Sequence, residues 1–127
     1  MRGLSVLVVD DSALIRGLLS EAVRVSDVPT DDVLEARDGG EALEILRGRH
    51  IDVVITDLQM PRVDGFELIA RIAANPDLAH VRIVTMTAAG HSLRAARMNV
   101  YARLIKPVRF DTIQTILGDI WRSLGSP

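Results

Sequence analysis

The chain has 127 residues and a formal net charge of −2 at pH 7; 48% of its residues are hydrophobic and 25% are charged. The length fits one domain, and we predict a single domain over residues 1–127. The composition excludes an intrinsically disordered chain, and the lack of cysteine excludes disulfides, thiolate metal sites and a cysteine nucleophile. The small net charge gives no reason to expect direct DNA binding.

Apolar stretches are short throughout the chain. None approaches the roughly 20 residues that a bilayer crossing needs. Met1-Arg2 leads directly into the first apolar run without a cleavage-type sequence. We therefore expect a cytoplasmic protein with no membrane partner.

Five short apolar runs rich in Val and Ile predict β-strands. They lie at residues 5–9, 33–36, 53–56, 82–86 and 103–105. Nearly continuous apolar runs of this kind are typical of strands that are covered on both faces of a parallel sheet.

Amphipathic stretches between these runs predict helices. The first follows Ser12 at an N-cap position and carries apolar residues at helical spacing: Leu14, Leu18, Ala22 and Val25. Further helices are predicted over residues 41–46, from Phe66 to the Asn75-Pro76 pair, over a short segment at 92–98, and along the stripe of Phe110, Ile113, Leu117, Ile120, Trp121 and Leu124. Alternation of five strands with five helices predicts an α/β protein with a doubly wound parallel sheet between two helix layers.

Functional side chains in open parallel sheets lie beyond the carboxyl ends of the strands. Chemically suitable residues follow four of the five predicted strands: Asp10 and Asp11, Asp57, Thr87, and Lys106. If the first and third strands are neighbours, about 4.8 Å apart, their carboxylates converge on one pocket.

Three carboxylates in one pocket repel each other unless a cation offsets their charge. Mg²⁺ suits an open site with carboxylates, waters and a phosphate oxygen. Lys106 is the only lysine in the chain and adds a positive charge, while Thr87 adds a hydroxyl. Any one of these acids alone is more simply explained as a solvated residue or a helix cap, but their joint occurrence favours a phosphoryl site.

Several motifs occur in order along the chain: Asp10-Asp11-Ser12, Asp57-Leu58-Gln59-Met60-Pro61 with Asp64-Gly65, Thr87-Ala88 and Lys106-Pro107. In this respect the chain resembles, over essentially its whole length, the response-regulator receiver domains of two-component systems, and among them the single-domain chemotaxis-type regulators. The resemblance implies a flavodoxin-like fold with five strands in the order 2-1-3-4-5.

The resemblance also implies that Asp57 accepts a phosphoryl group, in a Mg²⁺-dependent reaction, from a histidine kinase or a phosphotransfer protein. Asp11 would bind the metal directly, Asp10 mainly through water, and Asp57 and the Gln59 backbone carbonyl would complete the ligand set. Signalling would then proceed by phosphorylation-dependent protein binding. No enzymatic activity is expected beyond the domain's own phosphorylation and dephosphorylation.

The same resemblance assigns roles to other residues of the pocket. Thr87 and Lys106 would contact the phosphoryl oxygens, and a cis Lys106-Pro107 bond would direct the lysine inward. Side chains at Gln59 and Ala89 would control the access of water to the phosphoryl group, and so its lifetime.

The chain departs from the family in the region that usually carries the output. Arg103 stands where an aromatic switch residue is usual, and Tyr101, two residues earlier, is either its substitute or a half-buried surface aromatic. The interval from Thr87 to Lys106 is short by roughly one helical turn, with Gly90 where the fourth helix should begin. This weakens the expectation of a standard partner on the face formed by the fourth helix, fifth strand and fifth helix.

Two other functional classes are compatible with parts of the pattern. Residues 78–110 contain no Asp or Glu but include Arg82, Arg94, Arg97, Arg103, Lys106 and Arg109. This stretch is either a solvated surface or a basic face that makes the chain a receiver-like adaptor for a protein or an anionic ligand such as a nucleotide, independently of phosphorylation. A free-standing phosphatase lacks support, because no second general acid accompanies Asp57. His50, His80 and His91 lie in different predicted connections without metal-ligand spacing, and we expect them to be surface residues.

Overall fold

The computed structural model describes residues 3–88 and 97–125. These residues form a five-stranded sheet whose order is β2-β1-β3-β4-β5, and every pairing is parallel. The strands are β1 (Leu4–Val9), β2 (Thr30–Ala36), β3 (Val53–Asp57), β4 (Arg82–Thr87) and β5 (Ala102–Ile105). The predicted doubly wound sheet and its strand order are therefore confirmed.

Four α-helices lie within the described ranges, where five had been predicted. They are α1 (Ala13–Arg24), α2 (Gly39–Gly48), α3 (Gly65–Ala74) and α4 (Phe110–Ser123), and a short 3₁₀ helix covers Pro76–Leu78. The helix predicted over residues 92–98 falls mostly outside the described residues, and Arg97 and Met98 at its end lie in a turn. None of the described helices combines the length and apolar character that a membrane crossing requires.

The first three helices begin with side-chain caps. Each cap accepts a hydrogen bond from the backbone amide three residues on: Ser12 at 3.2 Å, Asp38 at 2.8 Å and Asp64 at 2.9 Å. Such caps satisfy amides that have no partner inside the helix. The Ser12 cap confirms the predicted start of the first helix.

The core consists of two apolar layers on opposite faces of the sheet. Val6 and Val8 of β1 face the layer that α1 and α4 cover, whereas Leu7 and Val9 face the layer under α2 and α3. Because side chains alternate along a strand, β1 supplies both layers and is fully buried. This double burial explains its uninterrupted apolar sequence.

Helix α1 was predicted correctly, but the predicted stripe lies largely on the wrong face. Leu14, Leu18 and Val25 are 72%, 50% and 52% exposed, respectively, and only Ala22 of that stripe is buried. Leu19 and Val23 pack into the core beside Ala22 instead. The helix carries apolar residues on more than one face, and periodicity alone does not identify the face that packs on the sheet.

Candidate functional site

Three carboxylates meet at the carboxyl end of the sheet. Asp10 follows β1 directly, Asp57 is the last residue of β3, and these two strands are paired. Carboxylate oxygens of Asp10, Asp11 and Asp57 all lie within 4.8 Å of one another. Asp10 is 1% exposed and Asp57 6%, while Asp11 is exposed. The predicted convergence of these acids is confirmed.

Lys106 bridges the two buried carboxylates. Its Nζ lies 2.9 Å from Asp10 Oδ2 and 3.1 Å from Asp57 Oδ2. Burial by itself lowers the pKa of Lys106, but the hydrogen bonds and charges of the two aspartates outweigh it and the pKa is raised. The Lys106-Pro107 bond is cis, as predicted. A protonated Lys106 therefore offsets one of the three negative charges.

Backbone amides hold the other oxygen of each buried carboxylate. Ser12 N donates to Asp10 Oδ1 at 2.9 Å, and Gln59 N donates to Asp57 Oδ1 at 3.1 Å. In both cases the donor lies two residues after the aspartate, so the turn that follows the strand also orients its side chain. These hydrogen bonds therefore fix the orientation of both buried carboxylates.

The donor set fits a hard divalent cation. All three candidate ligands are carboxylates, two of them are buried, and one lysine leaves an excess of negative charge within a few ångströms. Mg²⁺ prefers such oxygen ligands and retains several waters. Exposure of Asp11 gives this arrangement an open side from which an ion and its waters can enter.

The region from the end of β3 to the start of α3 closely approaches the first residues of α2 and α3, and both of these residues are glycines. A Cβ on Gly65 would lie 2.2 Å from the Asp57 carbonyl oxygen, and a Cβ on Gly39 would lie 2.5 Å from the Val63 carbonyl oxygen. Gly65 N also donates to Leu58 O, and Gly39 N to Val63 O. The backbone of Asp57 is therefore fixed by close approach of the α3 start.

Thr87 and Gln59 lie at the carboxyl ends of β4 and β3, which are neighbouring strands. Thr87 ends β4 and is half-buried; Met86 pairs with Asp57, so Thr87 lies one position beyond it. Gln59 is exposed at the start of the loop after β3. Ala89 lies outside the described residues. The roles expected of Thr87, Gln59 and Ala89 remain predictions.

Tyr101 and Arg103 share one side of the chain at the β5 edge. Both are exposed, Tyr101 by 42%, and Ala102 between them is half-buried, so the two side chains lie on the same face of the chain. The Arg103 guanidinium donates to the Met98 carbonyl. The structure thus places both candidate switch residues at the surface and leaves their role as a prediction.

Two further arrangements were missed by the sequence analysis. Arg16 of α1 donates from Nη1 to the Asp10 carbonyl at 2.8 Å, directly behind the acidic pocket. At the amino ends of the strands, the rings of His50 and His80 stack with centroids 4.7 Å apart, and both residues are exposed, as expected of surface histidines. His50 also contacts buried Asp52. For the contact of His50 with Asp52, the only signal in the sequence was an aspartate just before a predicted strand. Nothing in the sequence distinguished Arg16 from the other arginines.

Comparisons with known proteins agree with this geometry. The family model of the response regulator receiver domain matches residues 6–118. Chemotaxis protein CheY-3 of Vibrio cholerae is 29% identical over 126 residues, covering 97% of this chain and 95% of the relative. The polar-differentiation response regulator DivK of Brucella ovis is 31% identical over 122 residues, covering 91% and 97%, respectively.

Solved structures show the same architecture. The signal receiver domain of an HD domain-containing protein from Pseudomonas fluorescens Pf-5 superposes with a TM-score of 0.85 at 25% identity, over 99% of this chain and 100% of the other. Chemotaxis protein CheY4 of Vibrio cholerae gives a TM-score of 0.81 at 26% identity, over 93% and 98%, respectively. With its acidic cluster at the expected strand ends, the chain belongs to the response regulator receiver domain family, of the type represented by CheY and DivK.

Proposed function

We propose that this receiver domain accepts a phosphoryl group on Asp57 from a histidine kinase or a phosphotransfer protein, in a Mg²⁺-dependent reaction. Signalling would follow by phosphorylation-dependent protein binding. The observation that carries the proposal is the convergence of Asp10, Asp11 and Asp57 at one strand edge, with Lys106 bridging two of them. The domain would turn over no substrate other than its own phosphoryl group.

Each residue of the pocket has a part in this transfer. Asp57 Oδ attacks the phosphorus of the donor's phosphohistidine, the phosphorus–nitrogen bond breaks, and an acyl phosphate forms. Bound Mg²⁺, held by Asp10, Asp11, Asp57 and the Gln59 carbonyl, would supply charge neutralisation for the transferring group. Lys106, already 3.1 Å from Asp57 Oδ2, then pairs with a phosphoryl oxygen, and Thr87 donates its hydroxyl to another.

An exposed apolar surface beside the pocket supports a protein as the phosphoryl donor. Leu18 and Phe110 are 50% and 48% exposed, respectively. Leu18 and Phe110 border a cavity of about 360 Å³ that Lys106 also lines. Clustered apolar exposure of this kind is typical of protein contact surfaces. A donor bound here would present its histidine close to Asp57.

The basic-face adaptor is less well supported than the phosphoryl switch. Three arginines of the stretch at residues 78–110 have acceptors within the chain: Arg82 donates to the His80 carbonyl, Arg103 to the Met98 carbonyl, and Arg109 to Asp111. Guanidinium groups engaged in this way are less available for an anionic ligand. The phosphoryl switch, by contrast, uses a pocket whose charges remain unbalanced.

The test is phosphorylation by a small acyl phosphate in the presence of Mg²⁺, followed by intact mass. Wild type should gain one phosphoryl group, and Asp57→Asn should gain none. Asp52→Asn is a matched control, because Asp52 lies at the other end of the same strand and is 5% exposed, against 6% for Asp57. The proposal fails if wild type stays unmodified or if Asp57→Asn is modified as readily as wild type.

A further inference from the structure

We propose that Arg16 is a positioning residue for the metal-binding carboxylates of Asp10 and Asp11, and that Glu35 holds Arg16 in place. This inference rests on the proposed function, because it concerns the same Mg²⁺ site. Arg16 touches neither carboxylate directly and acts through the backbone that carries them.

Arg16 connects three elements behind the acidic pocket. Its Nη1 donates to the Asp10 carbonyl at 2.8 Å, and its Nε lies 3.4 Å from Glu35 Oε1 on β2. The Arg16 side chain is only 19% exposed. The neighbouring Ala36 carbonyl accepts a hydrogen bond from Asp10 N at 3.1 Å. Helix α1, strand β2 and the end of β1 are thus tied together at Asp10.

The carbonyl that Arg16 binds belongs to the peptide linking Asp10 to Asp11. Because a peptide unit is planar, fixing its oxygen restricts the orientation of both flanking Cα atoms. Asp10 has further restraints in its side-chain bonds to Ser12 N and Lys106. Exposed Asp11 depends more on the peptide for its direction. Loss of the Arg16 contact should therefore allow more movement of the Asp11 carboxylate than of the Asp10 carboxylate.

The chemistry of the guanidinium suits this role. Its fork reaches two acceptors on different elements at once, which a compact ammonium does less well. Glu35 also offsets the positive charge of Arg16 close to the pocket, so the pair changes the local field little. The contribution of Arg16 is therefore geometric, and a lysine at this position should replace it only in part.

Helix α1 offers a matched control in Arg24. Arg24 lies two turns further along, and its Nη2 is 3.4 Å from the Val33 carbonyl of β2. Like Arg16, Arg24 joins α1 to β2, but its side chain is exposed and makes no contact with the acidic pocket. Removal of Arg24 therefore tests the packing of α1 on β2 by itself.

The experiment is a Mg²⁺ titration without a phosphoryl donor, followed through the amide NMR signals of Ser12 and Gln59. Arg16→Met should raise the Mg²⁺ dissociation constant about tenfold, as expected when a group that orients metal ligands is lost. Arg24→Met should leave it unchanged. Arg16→Lys should fall between wild type and Arg16→Met. If Arg16→Met does not fold, Arg16→Lys against Arg24→Lys carries the same comparison.

Glu35 provides a second readout, which a purely structural role would not move. Glu35→Gln should weaken Mg²⁺ binding less than Arg16→Met does, and the double variant should bind no more weakly than Arg16→Met alone. Such non-additivity is expected when one residue acts through another. Additive losses would overturn the assignment of Glu35 as the group that holds Arg16.

The outcomes separate this inference from the proposed function. Folded Arg16→Met with wild-type Mg²⁺ affinity overturns the inference alone, as does an equal weakening in Arg16→Met and Arg24→Met. A wild-type protein that binds no Mg²⁺ overturns the metal-dependent function and the inference with it. A selective loss in Arg16→Met with intact folding supports the positioning role.

Discussion

Strand β3 has a buried aspartate at each end, and the two have different surroundings. Asp52, just before the strand, is 5% exposed, and Asp57, its last residue, is 6% exposed. Asp52 accepts from Ser5 N at 2.9 Å and lies 2.9 Å from His50 Nε2. Asp57 accepts from Gln59 N and from Lys106 Nζ, both at 3.1 Å. The two aspartates are therefore similar in burial and in the number and length of these contacts.

The difference lies in the neighbouring charges. Asp57 shares its pocket with two more carboxylates, and in the described ranges this is the only group of three or more ligand-type residues placed to hold a metal ion. Asp52 is bound by a backbone amide of β1 and so ties two strands together. A buried carboxylate therefore links two strands at the amino end of β3 and belongs to the candidate metal site at its carboxyl end.

The largest expected effect that would sharpen this contrast is on folding stability. Asp52→Ala should lower the free energy of unfolding by about 2 kcal/mol, because it leaves the buried Ser5 N–H without its acceptor. Asp57→Ala should cost less in Mg²⁺-free buffer, because it also removes one of three crowded negative charges. Urea unfolding of both variants measures this difference. Equal losses would show that the two aspartates contribute alike.

A smaller effect is expected from neutralising the exposed carboxylate. Asp11→Asn should raise the free energy of unfolding of the metal-free protein by about 0.5 kcal/mol, since it relieves repulsion at a partly solvated site. It should also remove most of the stabilisation that added Mg²⁺ gives to wild type. Asp27→Asn is the control, because Asp27 is exposed and lies in the turn after α1. A metal response in Asp11→Asn as large as that of wild type would contradict the predicted ligand role.

The smallest effect concerns pH. The pKa of Lys106 is raised in the folded state, so its pairing with Asp10 and Asp57 contributes stability below the unfolded-state value of about 10.4 and loses it as the pH rises through the higher folded value. Because Lys106 is the only lysine, its side-chain ¹³Cε signal titrates without overlap from others. We expect a midpoint above that of a free lysine, and a lower one in Asp57→Asn. A wild-type midpoint at or below that of a free lysine would rule out the bridge.

The sheet and the acidic pocket could be predicted because the necessary information is local. A strand buried on both faces has an uninterrupted apolar run, and the residue that follows the run lies at the functional edge. Asp10 and Asp57 each stand at the end of such a run, whereas Lys106 follows the half-buried outer strand β5. Their meeting in space then required only the parallel topology, which the alternation of strands and helices implies.

Features that depend on packing could not be predicted in the same way. The buried face of α1 is chosen by the sheet and α4, so the spacing of Leu14 and Leu18 indicated a helix without indicating that both residues are exposed. Arg16 became informative only when the fold brought β2 and Asp10 within its reach. The stacking of His50 on His80 likewise joins two connections that are 30 residues apart in the sequence.

Gly65 has a consequence for how this domain can evolve. A methyl group there would occupy the space of the Asp57 carbonyl oxygen, which lies 2.2 Å from the position of such a Cβ. Position 65 has no side chain to bind metal or phosphate, yet any replacement must shift the backbone of Asp57, the proposed phosphoryl acceptor. In a library of point substitutions, this glycine should tolerate change as poorly as the aspartates. The set of residues that selection must preserve is therefore larger than the set that carries out the chemistry.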